Sequence, residues 1–599
     1  MLHQLKELFG LLTSSQRKRF YKIQILVVFM AFSEVVGITS IGPFMALVGN
    51  IKLIESNKFF ALAYAFSGLK DPYDFLFALG IIVLVLLTFA SVISMIATWR
   101  LSLFAFKVGT ETADRLYSYY MKQNWLFHTR GSSAHLVKQV STESVRITSQ
   151  VILPLMHMNA RIVLASFIAI ALLIFNPVFA LVGVILFLSA YVVLFRFVRR
   201  SLKKNGTNIS DMSMRRFRLM NEGFGGIKDI LLLGRSNYFI DHFRQSGEVL
   251  ARASGVNNAL TYAPRYLMEL LAFGVMISLV LFLIRFNQGD LGAVLPILAI
   301  YGLAGFKMLP ALQNIYAALS EIKGNIAAFE SIKNDLIESR GSDELTINNN
   351  SSKKIQTKKK IELKNIDFKY PDKIELALKN LSLVIPANKF IGFVGPSGAG
   401  KSTVIDLLLG LIAPISGSLI VDDVVIESSN VREWQNSIGF VPQSIFLSEG
   451  TIVENIAFGV SEENINYQRI EEVVKLSRLQ EFLVQLPLGL NTKVGERGVQ
   501  LSGGQRQRIG IARALYEDAD ILIFDEATSA LDGITEKLIM DAINEFSGKK
   551  TIIMIAHRLK TVANCDIIYY LENGELKSTG SYNELLQTNS SFKKMTEHA

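Results

Sequence analysis

Hydrophobic positions along the chain fall into two regimes. Up to about residue 319 they gather into six long apolar stretches, at 21–48, 75–98, 151–175, 178–197, 267–284 and 291–312. A helix needs about 20 apolar residues to span a bilayer, so the pattern predicts six membrane helices. The third and fourth are divided only by Asn176-Pro177, a tight-turn signal. The connections between the second and third, and between the fourth and fifth, are long, free of Pro/Gly clusters and helically periodic. They predict helices that run on well beyond the membrane. Past residue 360 the pattern changes. Short apolar runs such as FIGFVG, IGFVP, ILIFDE and TIIMIAH alternate with helical stretches, which predicts buried strands of an α/β domain. No internal repeat stands out.

Four regions follow. Residues 1–19, with HQLKELFGLLTSSQRKRF, form a basic amphipathic segment expected to lie on the cytoplasmic face, and no cleavable signal is evident in it. Residues 20–330 form the transmembrane domain. The polar run within 331–360 reads as a linker, and 361–599 as the α/β domain. The first outer connection, IESNKFFALAYAFSGLK, is aromatic-rich and reads either as a surface helix or as an irregular loop.

Composition agrees with a membrane protein. Of 599 residues 50% are hydrophobic and 19% charged, with a mean hydropathy of +0.33. The net charge is +10, and the two long connections are rich in cations. One carries Arg100, Lys107, Arg115, Lys122, Arg130 and Lys138, the other Arg199, Arg200, Lys203, Lys204, Arg215, Arg216 and Arg218. By the positive-inside rule both connections and both termini are cytoplasmic. No aromatic stacking platform accompanies the basic residues, which argues against nucleic acid as a partner. A single cysteine, Cys565, excludes an intrachain disulfide.

The chemistry sits in the α/β domain. Gly395, Pro396, Ser397, Gly398, Ala399, Gly400, Lys401 and Ser402 spell G-x-x-x-x-G-K-S between an apolar strand and a helix that continues with Thr403. In that context the glycines let backbone N–H groups face phosphates, Lys401 reaches the β/γ-phosphates and Ser402 ligates Mg²⁺. ILIFDEATSALD (521–532) ends a buried strand in Asp525, suited to hold Mg²⁺, and Glu526, suited to polarise an attacking water. In LSGGQRQRIGIARAL (501–515), Ser502, Gly503, Gly504 and Gln505 open a helix whose free N–H groups suit an anion.

With that last motif the chain resembles the ATP-binding cassette family. The resemblance implies ATP and Mg²⁺ as cofactors, Tyr370 stacking on adenine, and Gln443 sensing Mg²⁺ and acting with Glu526 and His557 in catalysis. It also places Asp532 in the loop after the acidic strand and Glu496 just before the signature. It further implies a polytopic α-helical membrane domain joined to an α/β P-loop cassette, acting as a homodimer in which one copy's signature completes the other's phosphate site. Short coupling helices are expected within 125–137 and 231–243.

In the membrane half, APRYLME (263–269), FSEVVGITSIGPF (32–44) and FKMLP (306–310) resemble lipid-linked oligosaccharide flippases of the PglK type. That resemblance implies translocation of a polyprenyl-pyrophosphate glycan across a bacterial inner membrane, with membrane lipids as surroundings. A pyrophosphate needs cationic partners, and Arg265, Lys307 and Arg161 are the expected ones, with Arg100 a weaker one. Where PglK carries a further cation in the sixth helix, this chain has Gln313 and Asn314. Arg265 also stands four residues before Glu269, so the two can pair along one helix face. Glu34 lies mid-span with no obvious cation on its own helix, and an intramembrane carboxylate is a functional-site candidate. The alternative cargo is another amphiphile, such as a lipopolysaccharide or lipid A precursor, a peptide or a drug. The absence of a peptidase domain before the first span weighs against a peptide. An ATP-gated channel would not need both Glu526 and His557.

Overall fold

The computed structural model describes every residue apart from 1, 176, 287–290, 341–352, 372, 496, 497, 499, 500, 527–532, 556–561, 598 and 599. The chain forms two compact units. One comprises Met1–Gln123 with His128–Glu344, the other Asn124–Phe127 with Leu345–Ala599.

The first unit is helical. Thr13 and Gln16 cap each other reciprocally and open a helix over Ser14–Gly49. Residues 14–19 therefore belong to the first long helix, and only Leu2–Leu11 forms the separate leading helix. That helix does not stand alone, because Glu7 pairs with Lys333 at 2.7 Å and Gln4 donates to Glu330. The connection between the first two apolar stretches is helical over Leu53–Ser56 and Lys58–Ser67, the latter capped by Asn57 and ended by Gly68 in the left-handed region. Phe59, Leu62 and Phe66 lie exposed on it at helical spacing.

Asp71 and Pro72 start a helix of 50 residues over Pro72–Met121. At 1.5 Å per residue it is about 75 Å long, more than twice the ~30 Å of bilayer hydrocarbon. Pro177–Gly225 and Leu291–Glu338 are of similar length. The linker read at 331–360 accordingly begins later, because positions 331–338 continue the last long helix. Among the described residues four helices are long and apolar enough to cross a membrane, within Ser14–Gly49, Pro72–Met121, Ser133–Ile174 and Ala180–Gly225. The fifth and sixth apolar stretches lie in Pro264–Phe286 and Leu291–Glu338. The expected segment 231–243 ends one short helix, Ile227–Leu232, and starts another, Ser236–Tyr262.

Two close crossings fix the long helices against one another. A Cβ on Gly206 would lie 2.1 Å from the Gly324 carbonyl oxygen, and one on Gly109 would lie 1.9 Å from the Thr148 hydroxyl. Thr148 belongs to the second of two π-helical turns, Gln139–Glu143 and Thr148–Ile152. A buried charge network gathers around the first. Glu143, wholly buried, is 2.8 Å from Lys138 and 3.7 Å from Arg146. Arg146 also donates to Asn325 at 2.9 Å and to Ser210 at 2.7 Å, joining three helices.

The second unit is α/β. Its strands are β1 Lys360–Phe368, β2 Leu378–Pro386, β3 Phe390–Val394, β4 Ser416–Val421, β5 Val424–Val425, β6 Ile438–Val441, β7 Ile521–Asp525, β8 Thr551–Ile555, β9 Ile567–Glu572 and β10 Glu575–Gly580. β2-β1-β4-β5 form an antiparallel sheet, and β10-β9-β3-β8-β7-β6 a mainly parallel one. β3 and β8 are buried at every position, which is why they read as solid apolar runs rather than alternations. Leu126, in the four-residue excursion Asn124–Phe127, packs against the core formed around β1, β2 and β3.

Removing the charge of Glu143 would leave Lys138 and Arg146 buried without their counter-ion. Glu143→Gln is expected to destabilise the helical unit by about 3–5 kcal/mol, read as a lowered denaturation midpoint in detergent. An unchanged midpoint would show that the network is solvated.

Candidate nucleotide site

In a mainly parallel sheet, ligands gather at the carboxyl ends of the strands. The loop 395–400 leaves β3 there, and the acidic pair leaves β7, with β8 between them. Gly395 comes within reach of the Leu571 carbonyl, where a Cβ would sit 2.1 Å from the oxygen, and Gly400 has φ +98. Both positions therefore require glycine. Gly400 caps the helix Lys401–Leu408, so that helix offers its N-terminus to the loop. Pro396, Ser397, Gly398 and Ala399 complete the turn, and the Ala399 amide donates to the Pro396 carbonyl.

Lys401 is almost wholly buried, and its ammonium donates to the carbonyls of Gly395 at 2.8 Å and Pro396 at 2.9 Å. Burial holds its pKa below the ordinary lysine range, opposed by the charges of Glu526 and Asp525. The loop lysine and the acidic pair thus share one electrostatic neighbourhood. Asp525 ends β7 opposite Ile555 of β8. Glu526 follows with φ +48, its amide donating to the Ile555 carbonyl. Such a conformation is uncommon for a residue other than glycine, and here it turns the chain immediately after the strand. Gln443, just beyond β6, donates from Nε2 to Glu526 Oε2 at 2.5 Å. Tyr370 packs edge-on against Phe368, with its hydroxyl 3.2 Å from that of Thr403. Its hydroxyl therefore lies beside the helix that carries Lys401 and Ser402.

Ser502 caps the helix Gly503–Tyr516, reciprocally bonded with Gln505. That polar pairing is local to the helix start, and within the described residues Ser502 and Gln505 bond each other rather than the phosphate loop. Glu496, Asp532 and His557 lie outside the described residues.

Three residues that the motifs do not flag tie the site together. Arg513, on the signature helix, donates to the carbonyls of Asn455 at 2.8 Å and Phe446 at 2.9 Å, with its guanidinium over the Phe458 ring. The fully buried Asn455 in turn receives the Ser448 amide and donates to the Ser448 and Thr451 carbonyls. The segment following Gln443 is thereby bound to the signature helix. The third is Asp406, in the Lys401–Leu408 helix. Burial pushes its carboxyl up to about 6, with a hydrogen bond from Trp125 opposing the rise and Asp525's charge adding to it. Sequence offers only an acidic residue on an amphipathic helix at Asp406, and an arginine after the signature at Arg513.

The membrane charges are placed as follows. Arg265 and Glu269 pair along one helix at 2.6 Å. Glu34 receives the Ser94 hydroxyl and stands 3.4 Å from Lys307, so its cation comes from another helix. Arg161 is partly buried on Leu153–Phe175.

The Asp406 shift has a pH consequence. A carboxyl whose folded pKa is raised from 3.8 to about 6 holds its proton in the folded state across that window. The unfolded chain has already released it there, so stability falls as pH rises from about 4 to 6. Asp406→Asn is therefore expected to raise the unfolding midpoint above wild type at pH 7.5, with the gain vanishing toward pH 4. A gain independent of pH would refute this.

Residues 378–529 match the ABC transporter family model. The ATP-dependent lipid A-core flippase of Cupriavidus pinatubonensis is 31% identical over 482 residues, covering 77% of this chain and 78% of that protein. The heterocyst differentiation ATP-binding protein HepA of a Nostoc species is 30% identical over 511 residues, covering 83% and 82%. The solved structure of a bacterial Atm1-family ABC exporter with ATP bound shares the fold, with a TM-score of 0.73 over 97% of this chain and 98% of that one at 22% identity. Matched in this way along most of its length, with phosphate loop, acidic strand end and signature helix in place, the chain belongs to the ABC transporter family and is an exporter half-transporter with an ATPase domain.

Proposed function

We propose that this exporter uses ATP to flip an amphiphile with a phosphorylated head group from the cytoplasmic to the outer leaflet of a bacterial inner membrane. The observation that carries the reading is the set of cations on three separate helices, Arg161 and Lys307 within apolar stretches and Arg265 two residues before another. Charge at that depth is costly, and phosphate is the group such cations suit. The Cupriavidus relative's name favours a lipid A-type cargo. The segments 32–44, 263–269 and 306–310, which resemble PglK-type flippases, favour a lipid-linked oligosaccharide as the second reading.

In this reading two identical subunits close on two ATP, each signature helix completing the other copy's phosphate loop. Lys401 and the N-terminus of its helix bind phosphate oxygens, and Tyr370 carries adenine. Ser402, Gln443 and Asp525 supply hard oxygen donors that fit Mg²⁺, which would offset phosphate charge when bound. Glu526 orients and deprotonates the attacking water. Gln443 is hydrogen-bonded to it, and the segment after Gln443 is tied through Asn455 and Arg513 to the signature helix. His557 and Asp532 complete the catalytic set. Trp125 and Leu126 lie in the first expected coupling segment.

Glu526→Gln is expected to lower ATP turnover by about 10²–10⁴-fold, the usual worth of a general base, while the protein still binds a fluorescent ATP analogue. Loss of binding would instead make Glu526 part of the fold of the site. For the cargo, ATPase is measured in nanodiscs with a bis-phosphorylated glucosamine-disaccharide lipid and, separately, with a polyprenyl-pyrophosphate oligosaccharide. Stimulation by one identifies it, and Arg265→Ala is expected to demand about tenfold more of that lipid for the same effect. If neither lipid stimulates, the phosphorylated-cargo reading is wrong. If Arg265→Ala responds as wild type, Arg265 serves only Glu269.

A further inference from the structure

Glu34 and Lys307 form an asymmetric pair. The carboxylate side chain is 6% exposed, whereas the lysine side chain is 43% exposed. Glu34 sits between Ala31 and Ile38 on a helix that clusters through them with Leu164, Ile168 and Ala304. The two oxygens of Glu34 are also unequal. Oε1 takes a 2.6 Å hydrogen bond from Ser94, whereas Oε2 takes no hydrogen bond and has the ammonium 3.4 Å away. The contact is an ion pair held at the edge of bonding distance, with its anion enclosed and its cation open to an incoming group. A lysine has three donors, and a carboxylate at that separation leaves them for a better acceptor.

We propose that Glu34 is the internal competitor of the cargo: it holds Lys307 until a head group with two or more negative charges displaces it, and so sets the charge threshold for cargo recognition. This rests on the phosphorylated-amphiphile reading above. A singly charged head group offers Lys307 no more than Glu34 already does, so exchange gains nothing. A doubly charged phosphate or pyrophosphate outbids the carboxylate, because electrostatic attraction scales with charge. The exchange strands Glu34 in apolar surroundings with the Ser94 hydroxyl alone, and that cost must be met by the incoming anion. Ser94 therefore tunes the threshold, since it keeps one oxygen satisfied whichever way Lys307 turns. Glu34 is in this sense a specificity-determining residue that need not touch the cargo.

The two variants are expected to act in opposite directions, which a merely structural role would not produce. ATPase of the full-length protein in nanodiscs is titrated with the singly charged methyl diester of farnesyl phosphate against farnesyl pyrophosphate, and with the singly charged methyl phosphodiester of the mono-phosphorylated glucosamine-disaccharide lipid against the bis-phosphorylated lipid. These two pairs separate a prenyl from a glycolipid source. Wild type is expected to prefer the more highly charged member of the active pair by about tenfold in half-maximal concentration. In Glu34→Gln the less charged member improves and the preference collapses toward unity. In Ser94→Ala both members are needed at higher concentration. Equal preference in Glu34→Gln and wild type, or weakening of both probes in both variants, overturns the proposal. Should no probe stimulate wild type, the cargo reading fails, yet the lock is still decided by amine-reactive labelling of Lys307 followed by mass spectrometry. Labelling several-fold faster in Glu34→Gln and slower in Ser94→Ala upholds it, and equal rates refute it. Should Glu34→Gln fail to fold, the direction of the Ser94→Ala effect decides alone.

Discussion

Hydrocarbon solvates neither a backbone amide nor a charge, and the helical unit is arranged around both requirements. The first keeps the described residues of its apolar stretches helical, so that their amides bond within the segment. The second sorts its ionisable groups into pairs whose geometry differs with their origin. Arg265 and Glu269 are neighbours on one helix, so their pairing needs only that the helix form. Glu34 and Lys307 meet only when separate helices have packed, so their contact reports the tertiary arrangement. The Lys138–Glu143–Arg146 network lies outside the apolar stretches and answers to burial in protein instead, binding a π-helical turn to helices that are distant in sequence.

The nucleotide-binding unit solves the opposite electrostatic problem. It must gather charge where a triphosphate is to sit without letting that charge collapse on itself. Lys401 is buried and pinned on backbone carbonyls instead of on the acids nearby, so the positive charge stays aimed by the loop. Glu526 is fixed by its turn after β7 and by Gln443. The Asn455–Arg513 link then makes the segment after Gln443 and the signature helix one mechanical piece. A change at Glu526 has a bonded path to the helix that meets a second subunit in the proposed dimer.

Much of this is legible in the sequence, for reasons that differ by element. The strands β3, β7 and β8 are readable because burial writes solid apolar runs, and the phosphate loop because its chemistry demands glycine and lysine at fixed spacing. The Arg265–Glu269 pair is readable because helical period places residues four apart on one face. Glu34's partner is not, since Lys307 stands on a helix far along the chain and no local rule connects them. Asp406 and Asn455 are opaque for the same reason: their character comes from burial and from partners brought in by the fold. The end of the last long helix is hidden because residues 331–338 are polar enough to resemble a linker while packing well enough to stay helical. Ile332, fully buried in that stretch, is the mark of that packing.

The four residues Asn124–Phe127 leave the helical unit and return to it, yet they belong to the nucleotide-binding unit. Leu126 covers part of that unit's core, and Trp125 bonds the same helix that carries the phosphate-loop lysine. The cassette is thus discontinuous in sequence. A fragment cut at residue 345 would lack its own plug, exposing an apolar spot and removing a bond from a buried acid. The solubility of the isolated domain therefore depends on a short excursion of chain that its own continuous stretch of sequence does not contain.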